Sequence, residues 1–143
     1  MTRKQPKRTD RPGVDRYGRS ELHYAAGKGD LERVVALLTQ GADAGLPDDD
    51  GRSPLHFAAQ AYSAPVAAAL LDGGATIDAV DNHGNTPLQS AVFESRGRPD
   101  LILMLRSRGA DPVRLNNHGV SALSLARTIA NFDVAQFFTD LSG

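Results

Sequence analysis

Three groups of residues in this sequence are of types that could do chemistry: the triplet Asp48-Asp49-Asp50, four histidines, and a lysine between glycines at Gly27-Lys28-Gly29. The triplet leads into Gly51, much as the acidic ligands of a calcium loop lead into the glycine that lets the loop turn. With Gly51 at the sixth place of such a loop, the first falls on Leu46 and the twelfth on Phe57, so both end ligands are missing. Imidazoles serve as acid–base groups and as zinc ligands. His23 and His56 stand 33 residues apart, and His83 and His118 each precede a glycine. The chain has no cysteine to complete a zinc set, and no carboxylate pair lies next to His83 or His118. Lys28 lacks the spaced glycines and trailing Ser/Thr of a phosphate loop, and neither Gly-x-Ser-x-Gly nor His-Glu-x-x-His occurs. With no nucleophile, base or ligand set to assign, the expectation is a chain with no catalytic residue, no metal and no cofactor.

A repeat positions these residues. The segments starting at Gly18, Gly51 and Gly84 (Gly-Arg-Ser-Glu-Leu-His, Gly-Arg-Ser-Pro-Leu-His and Gly-Asn-Thr-Pro-Leu-Gln) lie 33 residues apart, and a fourth starts 35 residues later at Gly119. A second landmark, Gly41-Ala42-Asp43, Gly74-Ala75-Thr76 and Gly109-Ala110-Asp111, repeats with spacings of 33 and 35. Ser20, Ser53, Thr86 and Ser121 stand where a hydroxyl caps a helix start, and Pro54 and Pro87 take the first helical position, where a missing N–H costs nothing. Each short helix carries alanines that permit close packing: Ala25-Ala26, Ala58-Ala59 and Ala91. Amphipathic runs follow, predicting second helices: Leu31, Val34, Val35, Leu37 and Leu38; Val66, Leu70 and Leu71; Leu101, Ile102, Leu103 and Leu105; Val134, Phe137, Phe138 and Leu141. Gly41, Gly74 and Gly109 stand where these helices must end. Between each end and the next start lie turn residues, Asp48 to Gly51, Asp81 to Gly84 and Asn116 to Gly119, which predict a β-hairpin tip.

A helix pair of about 20 residues cannot bury its apolar face alone, so the units must stack into a one-dimensional array. The pattern Asp-x-x-Gly-x-Thr-Pro-Leu-His-x-Ala-Ala followed by Gly-Ala-Asp resembles the ankyrin repeat, best in Asp48 to Ala59 and Asp81 to Ala91. The resemblance covers residues 15–143. It implies an all-α solenoid with β-hairpin loops, built from four helix-turn-helix units at about 15–47, 48–80, 81–115 and 116–143. It also implies that His23 and His56 hydrogen-bond the adjacent hairpin backbone. The departures sit at the ends and in the turns. Glu21 replaces the family's Pro in the first unit, and the fourth ends at Gly143, as capping units should. Tyr62-Ser63-Ala64-Pro65 replaces the glycine-rich turn of the second unit, and two extra residues near Glu94 to Pro99 predict an enlarged cationic loop in the third.

What such a stack offers is a surface. Hairpin tips and inner helices together should form a concave, partner-binding strip of Arg16, Tyr17, Arg19, Lys28, Asp49, Asp50, Arg52, Gln60, Tyr62, Asn82, His83, Asn85, Phe93, Glu94, Asn117, His118 and Thr128. Tyr17, Tyr62 and Phe93 carry most weight, because interface hot spots favour aromatics and arginine. The strip mixes charge signs, which suits a protein surface better than a phosphate backbone. Residues 1–14 hold five basic residues against Asp10, a net +4 set against −5 for the remainder, with almost nothing apolar. They are expected to be a disordered basic tail. The expected function is protein binding by a small standalone module, monomeric when free. It would inhibit or regulate one partner, a toxin or enzyme, in the manner of a bacterial immunity protein, a source that the Arg-, Ala- and Gly-rich composition suits. The alternative is an adaptor reaching nucleic acid through the basic tail. Without an apolar stretch long enough to span a bilayer or serve as a signal peptide, a cytoplasmic location is expected.

Overall fold

The computed structural model describes residues 11–141. Its helices follow the repeat: α1 (Glu21–Gly27), α2 (Leu31–Thr39), α3 (Pro54–Gln60), α4 (Ala64–Asp72), α5 (Pro87–Glu94), α6 (Asp100–Ser107) and α7 (Ala122–Thr128), then a 3-10 helix at Val134–Phe138. The elements pair in chain order and the pairs stack. An inner row runs α1, α3, α5, α7, each helix against the next, and an outer row runs α2, α4, α6 behind it.

Sequence dictates each helix start. The hydroxyls of Ser20, Ser53, Thr86 and Ser121 accept from the backbone N–H three residues on, and the side chain at that third position accepts from the cap's own N–H, a reciprocal capping box in all four inner helices. The inner row packs closely because Ala25, Ala58, Ala91 and Ala126 share one repeat position and are all buried. Leu22, Leu55, Leu88 and Leu123 form the adjacent buried column, each worth about 1.5–3 kcal/mol of apolar burial. Val34, Leu37, Val66, Leu70, Leu101, Ile102 and Leu105 bring the outer row onto the same core, while Leu31, Val35 and Leu103 face outward and stay exposed.

Two expectations change in detail. The tips turn as expected, but among the described residues they contain no strand. In each, the carboxylate or amide of the leading residue takes the N–H groups that a ladder would need. The outer element of the last unit is one 3-10 turn rather than an α-helix. Its Val134 and Phe138 are buried and its Phe137 and Leu141 pack on the core, so the apolar pattern was followed with a shorter element. Arg106 of α6 holds this turn: Nη1 donates to the Phe137 carbonyl at 2.8 Å, Nη1 and Nη2 clamp the Asp140 carboxylate, each at 2.7 Å, and the guanidinium lies 5.1 Å over the Phe138 ring.

Of the segment expected to be a disordered tail, residues 1–10 lie outside the described residues, as do 142–143 at the other end. Arg11 is described, and its guanidinium makes two hydrogen bonds to the Asp49 carboxylate, at 2.8 and 3.0 Å.

Candidate partner-binding face

Each tip is built the same way. Oδ1 of Asp15, Asp48, Asp81 and Asn116 accepts from the N–H groups two and four residues on, at 2.9–3.0 Å, and two backbone bonds of 2.8–3.1 Å close each turn. Neighbouring tips are then joined. The N–H of Asp49, Asn82 and Asn117 donates to the carbonyl of Tyr17, Asp50 and His83 in the preceding tip, at 2.9–3.0 Å. The amides of Asn82 and Asn117 add bonds to the carbonyls of Asp49 and Asn82. Side chains at a further tip position reach the next turn: Arg19 Nε donates to Asp48 at 3.2 Å, Arg52 lies 4.0 Å from Asp81, and Asn85 Oδ1 accepts from Asn116 at 2.8 Å.

Below the tips, the buried residues of the capping boxes tie one unit to the next. Nδ1 of His23 and His56 accepts from the cap N–H, at 2.9 and 3.1 Å, which leaves the proton on Nε2. Nε2 then donates to the carbonyls of Arg52 and Asn85, at 3.0 and 2.8 Å. Burial lowers both imidazole pKa values from the ordinary one. Gln89 does the same job with an amide, accepting from Thr86 N–H at 2.7 Å and donating to the Val120 carbonyl at 2.8 Å.

The inner face is not uniformly filled. One repeat position reads Tyr24, Phe57, Ser90, Leu125. Phe57 is buried, edge-on to His23 at 5.2 Å and covered by the Arg19 guanidinium at 5.3 Å, so the face is closed between α1 and α3. Ser90 is too small to repeat this. A groove of about 390 Å³ opens over it, lined by Arg52, Gln60, Asn85, Gln89, Ser90, Phe93, Glu94, Asn116, His118, Val120 and Leu125. Phe93 stands on it with 71% of its surface exposed, the most of any large apolar residue described. His118 leans on His83 of the preceding tip, with ring centroids 6.4 Å apart and planes 27° from parallel. Among the described residues no group of three or more His, Asp or Glu gathers as a metal site.

A stack of capped inner helices joined tip to tip calls for comparison with known repeats, and the family description "Ankyrin repeats (3 copies)" matches residues 22–116, more than half of the chain. The chain belongs to the ankyrin-repeat family. No curated protein matches it. As an ankyrin-repeat chain it is a protein–protein interaction module, and among its described residues no helix is long and apolar enough to cross a membrane.

The ankyrin stack sorts the expected binding residues into three groups. Arg52, Gln60, Asn85, Phe93, Glu94 and His118 meet in the one groove. Arg16, Tyr17, Lys28, Asp50, His83 and Thr128 are exposed outside it; Arg16 and Arg19 both lie over the Tyr17 ring, at 5.2 and 5.0 Å, and the Thr128 hydroxyl donates to the Leu125 carbonyl. Arg19, Asp49, Asn82 and Asn117 are spent largely on joining tips, and Asp49 also holds Arg11. Tyr62 needs correction: it is only 6% exposed.

The third unit's insertion is the reason. Tyr62 takes the repeat position of Gly29 and shares its positive φ, 52° against 67°. Its ring is buried under the Arg98 guanidinium, 4.3 Å from the centroid, and its hydroxyl donates to the Arg98 carbonyl. Arg98 in turn donates to the carbonyls of Ser95 and Glu94, at 2.8 and 3.0 Å, and Gly97 lies so close to Phe132 of the fourth unit that a Cβ there would meet the ring at 3.1 Å. The extra residues thus tie the second unit to the fourth. Sequence reasoning missed Gln89, Ser90, Asn116, Val120 and Leu125 as groove residues. Repeat phase held the signal: Val120 shares a position with Arg19, Arg52 and Asn85, and Ser90 and Leu125 lie one helical turn before Phe93 and Thr128.

Proposed function

We propose that this ankyrin chain is a dedicated binding protein, without catalysis of its own, that takes one protein partner in the groove over Ser90 and regulates it by occlusion. The observation that carries the reading is the groove itself: a break in an otherwise filled inner face, with an exposed phenylalanine on it and polar groups around it. Interface anchors are aromatic side chains at such places, surrounded by groups that exclude water and fix register. A short stack of four units suits a single partner more than scaffolding, and inhibition of a toxin or an enzyme is the form this takes in our reading. The mixed charge of the groove favours a protein over nucleic acid.

The test is to close the groove. Ser90→Phe restores the residue type that fills the same position in the second unit. In an affinity capture from native lysate with salt washes, the wild type should retain one protein that resists salt, and a folded Ser90→Phe variant should lose it. Equal recovery by both would reject the groove as the binding site, and recovery of nucleic acid alone, lost at high salt, would reject protein binding.

A further inference from the structure

The groove has two chemically different ends. Arg52 stands at the tip side; its Nε is 4.0 Å from Asp81, and its terminal N–H groups have no partner among the described residues. Glu94 closes α5 at the opposite end, and its carboxylate has no ion-pair partner among the described residues, because Arg98 bonds the Glu94 backbone carbonyl instead. The α5 dipole runs the same way, with its negative end at Glu94. Between the ends the lining is mixed, with Phe93, Val120 and Leu125 as its apolar part. The free polar groups beside these apolar residues include two amides: the Gln60 carboxamide has no hydrogen bond among the described residues, and Asn85 uses its Oδ1 on Asn116 while its Nδ2 has no such partner. Free amides suit a segment that brings unsatisfied backbone N–H and C=O groups, which an extended strand does and a helix does not.

We infer that the groove takes an extended segment of the partner carrying an acidic residue for Arg52, an apolar residue for Phe93 and a basic residue for Glu94. The inference rests on the groove reading above. Its spacing follows from geometry. Arg52 precedes α3, one unit before α5, so its separation from Glu94 is no less than the length of α5, whose eight residues span about 12 Å at 1.5 Å per residue; an extended chain needs about four residues at about 3.3 Å each to cover that. The acidic and basic residues are therefore at least four positions apart, with the apolar one between them.

Selection of a displayed library of random peptides on the full-length protein tests this. The enriched peptides should carry Asp or Glu, an apolar residue and Lys or Arg at that spacing. Reversing the basic residue of a selected peptide should weaken wild-type binding about tenfold or more, as like-charge juxtaposition does. Glu94→Lys should restore the reversed peptide and weaken the original. Arg52→Gln should remove the preference for the acidic residue alone. Peptides enriched without this charge order, no enrichment at all, or an unchanged preference in Glu94→Lys would overturn the inference. Phe93→Ala separates the two readings: peptides that lose binding to it but show no charge order sink only the charge assignment, whereas peptides that bind it undiminished bind elsewhere and sink the groove reading as well.

Discussion

His56, Gln89 and Ser124 occupy the same place in three successive capping boxes and show what the position requires. His56 and Gln89 each accept from the cap N–H and donate to a carbonyl of the next tip; Ser124 satisfies its own cap, and among the described residues there is no further tip beside it. The amide therefore replaces the imidazole geometrically but does not titrate. Because burial holds the folded His56 pKa below the ordinary value of about 6.5, the unfolded chain binds more protons between the two values. The contribution to stability is thus full above about pH 6.5 and is lost as pH falls toward the folded pKa. His56→Gln should keep stability at pH 7 and reduce its fall between pH 7 and 5, measured by urea unfolding; an unchanged pH slope would contradict the assignment. His56→Ala orphans the Ser53 N–H, at about 1–3 kcal/mol, and removes the tie to the Asn85 carbonyl, which keeps only the bond from the Asp81 N–H, so it should be destabilising at every pH in that range.

Tips and turns carry their own test. Gly84 and Gly119 have nearly the same φ, 78° and 76°, but a Cβ at Gly84 would sit 2.6 Å from Asn117 Oδ1 and 2.9 Å from its N, whereas a Cβ at Gly119 would meet nothing within 4 Å among the described residues. Gly119→Ala should cost only the left-handed backbone penalty of about 1–2 kcal/mol, and Gly84→Ala clearly more, by equilibrium unfolding; equal costs would mean that tips do not stack as described. Tyr62→Ala should destabilise by about 3 kcal/mol or more, as for any buried aromatic, and so cannot report on binding. These elements also show what the sequence made legible. Caps, helix starts and terminal glycines follow local rules, and 33-residue phase exposed them. The burial of Tyr62 depends on Arg98, 36 residues away in an irregular loop, and the joining roles of Arg19 and Asn82 depend on the next tip, so phase marked these residues as facing outward without showing what they touch. The last outer element is a 3-10 turn that Arg106 holds through the Phe137 carbonyl and Asp140, with Val134, Phe137, Phe138 and Leu141 on the core.

The molecule as a whole is a row of units in which each contacts its neighbours, with the third unit's loop adding a tie from the second to the fourth. Its inner face is closed by Phe57 between the first two units and open over Ser90 in the third. The groove was half legible: repeat phase gave six of its residues, but the hollow comes from one small side chain in a column otherwise holding Tyr, Phe and Leu. In the function proposed above recognition depends most on Phe93, and with 71% of its surface exposed folding depends on it little. The most direct measurement is the affinity of Phe93→Ala for the captured partner, beside its unfolding free energy. Binding weaker by about 1–3 kcal/mol, with stability within about 0.5 kcal/mol of wild type, is the predicted result; full affinity in a variant that folds as well as the parent would contradict it.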